Sequence, residues 1–293
     1  MRVFHSCLNG LMSVGLALGL AACSSSEPAP AVATLSAAID QPVASPGSPV
    51  VIRYAMSTLG QTPLPDGQWL FVHFVSDQGE ILWTDDHPPA VSTGQWKRGA
   101  PVEYARTTFV PRSAYTGPVF VDAGLVDPKT STRLSLQGTD LGMRTYRLGT
   151  FAVQPGANDT FVVFGDGWYD AETGNEGLGV SWRWSRAAAA LSFRNPKRDA
   201  QLLLEVDQPL AASVSPPQVA IAVGGSTVAT FDVKGPKGIL VVPLDQTALG
   251  DGDVVSVTLS VRPTFVPAAV PQLRSIDSRQ LGVRLFNAYV ALR

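Results

Sequence analysis

Two tandem β-sandwiches are what this sequence predicts, and three observations predict them. Short runs of β-branched and aromatic residues recur between Gly, Pro, Asp and Ser punctuation, no amphipathic helical period is sustained, and a break near 154–158 divides the runs into two sets. Of 293 residues, 45% are hydrophobic and 16% charged, which supplies material for packed cores and argues against disorder.

Taken in order, the first half reads as strands near 50–56, 69–75, 81–84, 102–110, 119–126 and 146–153. Asp77-Gln78-Gly79-Glu80 reads as a hairpin connection, and Asp127-Pro128-Lys129-Thr130 as a turn in which proline fixes φ. This spacing predicts an Ig-like sandwich over 34–154. Gln154-Pro155-Gly156-Ala157-Asn158 offers no apolar side chain that either core needs, so the boundary falls there. Nine further strands follow, near 161–164, 180–184, 189–193, 201–206, 219–223, 227–233, 239–243, 254–262 and 281–292, predicting a jelly-roll-like sandwich over 155–293. Gly224-Gly225 supplies the positive φ angles of a tight hairpin between two of them.

The charge balance is even, with 22 basic and 24 acidic residues and no basic run, so nucleic acid is not an expected partner. Cys7 and Cys23 are the only cysteines, which leaves the sandwiches without a disulfide or a thiolate metal site. No GxGxxG, Walker, HExxH or GxSxG pattern occurs, and no catalytic residue, cofactor or metal is expected.

At the N-terminus, Arg2 precedes a short apolar stretch over 11–20, far below the ~20 residues that span a bilayer, and Leu20-Ala21-Ala22-Cys23 closes it. These four residues resemble the lipobox of bacterial lipoproteins. The resemblance implies that 1–22 is a removed signal peptide and that Cys23 is lipidated. The proline-bearing remainder of 23–33 then serves as a tether. Each buried CH₂ contributes about 0.8 kcal/mol, so several acyl chains on one residue anchor a folded chain durably. Ser24 and Ser25 follow the cysteine with no aspartate just after it, which by the same resemblance favours the outer membrane, facing either the periplasm or the surface.

Trp69-Leu70-Phe71-Val72-His73-Phe74, Asp85-Asp86-His87-Pro88-Pro89, Gln95-Trp96 and Tyr104-Ala105-Arg106-Thr107 stand in the first half. Gly167-Trp168-Tyr169, Trp182-Arg183-Trp184, Phe193-Arg194-Asn195-Pro196, Thr264-Phe265-Val266-Pro267 and 277–284 stand in the second. Together they resemble a group of bacterial envelope proteins built from paired β-sandwich modules. The second module resembles those accompanying polysaccharide-handling membrane proteins, which implies a carbohydrate setting.

Trp182 and Trp184 share one face of a strand, as a stacking platform for sugar or as core, while Arg183 points to the other face. Gly165-Asp166-Gly167-Trp168-Tyr169-Asp170, with Glu172 and Glu176, combines aromatics with carboxylates as a sugar site does, or forms a surface turn whose Trp168 lids the core. The expected ligand-binding residues are therefore Trp168, Tyr169, Glu172, Glu176 and Arg183. His73 and His87 read as packed histidines, and Asp251-Gly252-Asp253 as a short acidic turn with a calcium alternative. The expected function is a non-enzymatic, lipid-anchored envelope protein that binds glycan. An assembly lipoprotein contacting other envelope proteins is the alternative, and a hydrolase without a recognisable motif the third.

Overall fold

The computed structural model describes residues 29–112, 115–156, 159–174, 177–208, 215–235 and 237–293, of which Ala31–Arg293 forms one compact unit. Cys23 and Glu176 lie outside the described residues, as do Ala157 and Asn158.

The first sandwich runs through β1 (Ala33–Ile39), β2 (Val43–Ala44), β3 (Pro49–Thr58), β4 (Trp69–Ser76), β5 (Ile81–Thr84), β6 (Val102–Phe109), β7 (Gly117–Val126) and β8 (Tyr146–Val153). One sheet has the order β1-β3-β6 and the other β2-β8-β7-β4-β5, with β2 parallel to β8 and every other pair antiparallel. This is the immunoglobulin arrangement, and it follows from period-2 alternation. On β3, Val50, Ile52, Tyr54 and Met56 are buried and face Leu70, Val72 and Phe74 of β4 and Val121 of β7 across the core. Trp83 stacks on Phe74, with ring centroids 4.3 Å apart and planes 6° from parallel.

The second sandwich begins with β9 (Val162–Phe164) and β10 (Glu172–Thr173), which border two sheets. Its other strands are β11 (Ser181–Trp184), β12 (Ala188–Arg194), β13 (Ala200–Asp207), β14 (Gln218–Val223), β15 (Ser226–Asp232), β16 (Gly238–Leu244), β17 (Val254–Arg262) and β18 (Arg284–Leu292). The sheet orders are β10-β11-β18-β13-β16 and β15-β14-β17-β12-β9. Strands β11 to β18 alternate between sheets except at the β14–β15 hairpin, which stays within one, as the eight strands of a jelly roll do. The hairpin at Gly224-Gly225 has φ values of +56° and +85°, which only glycine adopts at no cost, and it joins β14 to β15. Leu191, Phe193, Leu202, Leu204, Ile221, Leu244 and Leu259 fill this second core.

Strands β1 and β2 were not foreseen, because Ala-Thr-Leu-Ser-Ala-Ala-Ile carries weak strand propensity and β2 has two residues. Among the described residues no helix is long and apolar enough to cross a membrane.

The two cores share no side chain, so a cavity in one should be felt locally. Phe193→Ala is expected to cost about 3–5 kcal/mol. In differential scanning calorimetry it should lower one transition and leave a second unmoved; a single transition shifting as a whole would show that both sandwiches unfold together.

Candidate functional site

The loop before β11 is built into the sandwich. Gly167 has φ +86°, and a Cβ there would lie 2.1 Å from the Ala188 carbonyl oxygen, so the chain passes β12 at backbone distance. Trp168 turns onto the second core, edge-to-face with Phe164, and its indole N–H donates to the Ala190 carbonyl at 2.7 Å. The Tyr169 ring has guanidiniums of Arg186 and Arg279 at 4.4 and 4.9 Å, while its hydroxyl donates to the Gln280 carbonyl. Glu172 lies on β10, opposite Trp182, and accepts from Arg279 at 2.7 Å. Arg183 is half-buried over the Phe164 ring and donates to the Tyr169 carbonyl at 2.9 Å. Thus Trp168, Tyr169 and Glu172 brace the sheet edge, and Arg183 is half-buried beside them.

Trp182 and Trp184 are buried, yet they stand outside the sandwich core. With Phe286 and Leu281 they form a separate layer on the outer face of the β11–β18 pair. Arg284 lies in that layer, 4.8 Å from the Trp182 ring centroid and 5.1 Å from that of Phe286, and makes a bidentate pair with Asp207 at 2.6 and 2.7 Å.

Next to this layer the two sandwiches enclose a cleft of about 200 Å³. The first sandwich contributes Trp83, Asp85, Phe109 and Arg112; the second contributes Trp182, Arg183, Glu205, Lys237, Phe286 and Asn287. Glu205 projects outward from β13 between the inward Leu204 and Val206, and accepts from the Asn287 amide at 2.7 Å and pairs with Lys237 at 3.4 Å. Asp85 holds Arg106 through two bonds of 2.6 and 2.7 Å. Burial works against the Arg106 charge, but Asp85, with Glu205 adding to its field, holds its pKa above the ordinary guanidinium value. Trp83 and Trp182, one from each sandwich, have buried indole N–H groups with no acceptor among the described residues. An unmet buried donor costs roughly 1–3 kcal/mol.

Behind Asp85 a polar cluster enters the first core. His87 lies 2.7 Å from the Asp85 carbonyl through Nδ1 and 2.8 Å from the Tyr104 hydroxyl through Nε2. A carbonyl only accepts, so Nδ1 carries the proton of the neutral ring and Nε2 accepts from Tyr104. Tyr54 pairs with Tyr104 across β3 and β6, and burial pushes both phenols above their usual range. Sequence reasoning reads His73 and His87 as packed histidines and does not join His87 to Tyr104 and Arg106; the signal for that link is polar residues at inward parity on one strand. His73 is half-buried beside Phe71 on the outer face of its sheet.

Among the described residues no group of three or more His, Cys, Asp or Glu side chains is placed to hold a metal ion. At Asp251-Gly252-Asp253 the backbone carbonyls of Asp251 and Gly252 are already engaged. The Lys197 ammonium donates to the Asp251 and Gly252 carbonyls and lies 3.4 Å from the Asp253 carboxylate, while the Asn195 amide donates to the Gly250 and Gly252 carbonyls at 2.8 Å.

No family model matches the chain, and no curated protein matches it. Among solved structures it is similar to the Pseudomonas fluorescens alkylpurine DNA glycosylase AlkC bound to DNA, at 15% identity over 43% of this chain and 31% of that one, TM-score 0.29. It is similar to the CBM51-2 and INT domains of Clostridium perfringens ZmpB at 14% identity, covering 60% of this chain and 38% of that one, TM-score 0.27. A type II cohesin dyad from the adaptor ScaA scaffoldin of Acetivibrio cellulolyticus is 9% identical over 89% of this chain and 88% of that one, TM-score 0.19. The chain thus spans well under half of the first two, and at these TM-scores the likenesses carry no argument for function.

Burial lowers the His87 pKa below its ordinary 6.5, with Arg106 acting in the same direction and Asp85 opposing. The unfolded chain then binds more protons in the window below about pH 6.5, so stability is full above it and falls as pH drops through it. His73 is lowered by burial too and adds to this slope. The melting temperature should fall between pH 7 and pH 5, and His87→Gln should flatten part of that fall. A melting temperature that rises on acidification would contradict the neutral buried ring.

Proposed function

We propose that this chain is a lipid-anchored envelope protein that binds glycan, without catalysis, in the cleft between its two sandwiches. One observation carries the reading. Carboxylates, an amide and cationic side chains converge with aromatic rings in one cleft. Sugar recognition needs that mixture: ring faces for C–H surfaces, and charged or amide groups that bond adjacent hydroxyls. At about 200 Å³ the cleft has room for about one sugar ring, so the ligand is a chain end or a side branch. Both carboxylates are engaged by cations, Asp85 by Arg106 and Glu205 by Lys237, an arrangement suited to holding hydroxyls and not to donating a proton. The lipobox resemblance at Leu20-Ala21-Ala22-Cys23 supports the anchor, and Ser24 and Ser25 after the cysteine support the outer-membrane location.

The assembly reading has its own support. In the segment between β17 and β18, Ile276 is 99% exposed and Leu273 36%, an apolar tip of the kind that docks on a partner.

A glycan array probed with detergent-solubilised protein separates the two. Glu205→Gln keeps the shape of the side chain and removes its charge, and it should weaken the glycan found by about 5- to 150-fold, on the order of 1–3 kcal/mol, with a small change in melting temperature. Retention of no glycan, or a glycan indifferent to Glu205→Gln, would leave assembly as the better account.

For the anchor, metabolic labelling with a radiolabelled fatty acid should mark the wild type and not Cys23→Ala. An unlabelled, fully soluble wild type would remove the membrane from the account.

A further inference from the structure

The ionisable groups lining the cleft do not cancel. Glu205 is matched by Lys237, and Asp85 by Arg106 behind it. Among the described residues, Arg112 and Arg183 have no carboxylate partner. Arg112, from the first sandwich, donates to the carbonyls of Val162 and Ala288 at 3.3 and 2.8 Å; Arg183, from the second, donates to the Tyr169 carbonyl and lies 5.2 Å from the Phe164 ring centroid. Both guanidiniums are thereby fixed along the short strand β9, one at Val162 and the other at Phe164, two residues apart. Neutral carbonyls satisfy N–H donors but leave the cationic charge uncompensated, and partial burial lowers the Arg112 pKa with no anion to offset it.

We propose that the cleft selects an acidic sugar, a uronate whose carboxylate is held jointly by Arg112 and Arg183. A planar carboxylate matches the guanidinium fork, which a hydroxyl does not. Because one arginine comes from each sandwich, the same carboxylate ties the two sandwiches together, and ligand should raise the melting temperature as it saturates the site. This inference rests on the glycan reading of the cleft and adds the charge of the ligand.

The test is calorimetric titration of the detergent-solubilised protein with oligomers of polygalacturonate, alginate and hyaluronan, against neutral cello- and malto-oligosaccharides of equal length and against dextran sulfate. At least one uronate should bind best and weaken as sodium chloride is raised. Arg183→Gln and Arg112→Gln should each reduce its affinity about 5- to 150-fold. Arg112 also bridges backbone carbonyls, so Arg112→Lys serves as its charge-retaining control and should restore part of the affinity. A neutral oligosaccharide bound as tightly as the uronates, sensitive to Glu205→Gln but indifferent to both arginine variants, overturns the acidic specificity and leaves the glycan cleft standing. Dextran sulfate bound more tightly than every uronate overturns the carboxylate. Binding of none of these probes overturns the inference and the glycan reading together.

Discussion

The sheet containing β11, β18 and β13 is covered on its outer face at one end, and the cleft depends on that constraint. Its inner face carries Leu202, Leu204, Val206 and Leu285 into the jelly-roll core. Its outer face, which in an isolated sandwich would meet water, carries Trp182, Trp184, Phe286, Glu205 and the Arg284–Asp207 pair, all nearly as buried. Charges in that position are costly unless matched, and here they are matched by bidentate geometry and aromatic faces. The first sandwich is held at this place by loop contacts and by Arg112, which bonds backbone of β9 and β18. The cleft is what remains between a polar-aromatic outer layer and the end of the immunoglobulin-like module.

With both cysteines in the first 23 residues, neither sandwich has a disulfide to close it. Each relies on interdigitated apolar side chains, and the first also admits the Tyr54, His87 and Tyr104 cluster into its interior. That cluster is one bond from Asp85, so the protonation of His87 and the wall of the cleft share a hydrogen-bonded network. Buried polar networks of this kind trade some stability for a defined geometry.

Most of the fold was legible because strand alternation is a local signal. The run at 254–262 carries it plainly, 69–75 and 201–206 read as short apolar runs, and turn residues at 77–80 and 224–225 mark the hairpins. The site was far less legible. Arg183 was singled out, but the groups it meets at the cleft lie at 83–85, 109–112, 205, 237 and 286–287, and no spacing rule joins positions so distant. Glu205 and Asp207 alternate with Leu204 and Val206 on a central strand, a pattern that by itself reads as a solvated outer face, so the sequence conceals that this face is covered there. The loop at 165–172 has the composition of a sugar site, yet backbone contacts of Gly167 and the bonded indole of Trp168 make it a brace. Composition reports which groups are near, and only packing reports which are already engaged.

The most direct measurement follows the indole N–H resonances by nuclear magnetic resonance while a glycan from the array is titrated in. Trp83 and Trp182 line the cleft, whereas Trp168 and Trp96 donate to the carbonyls of Ala190 and Val91. The account predicts that the Trp83 and Trp182 resonances shift together to saturation, and that those of Trp168 and Trp96 stay in place. Movement confined to Trp168, or no movement of Trp83 and Trp182 at saturating glycan, would contradict a site between the sandwiches.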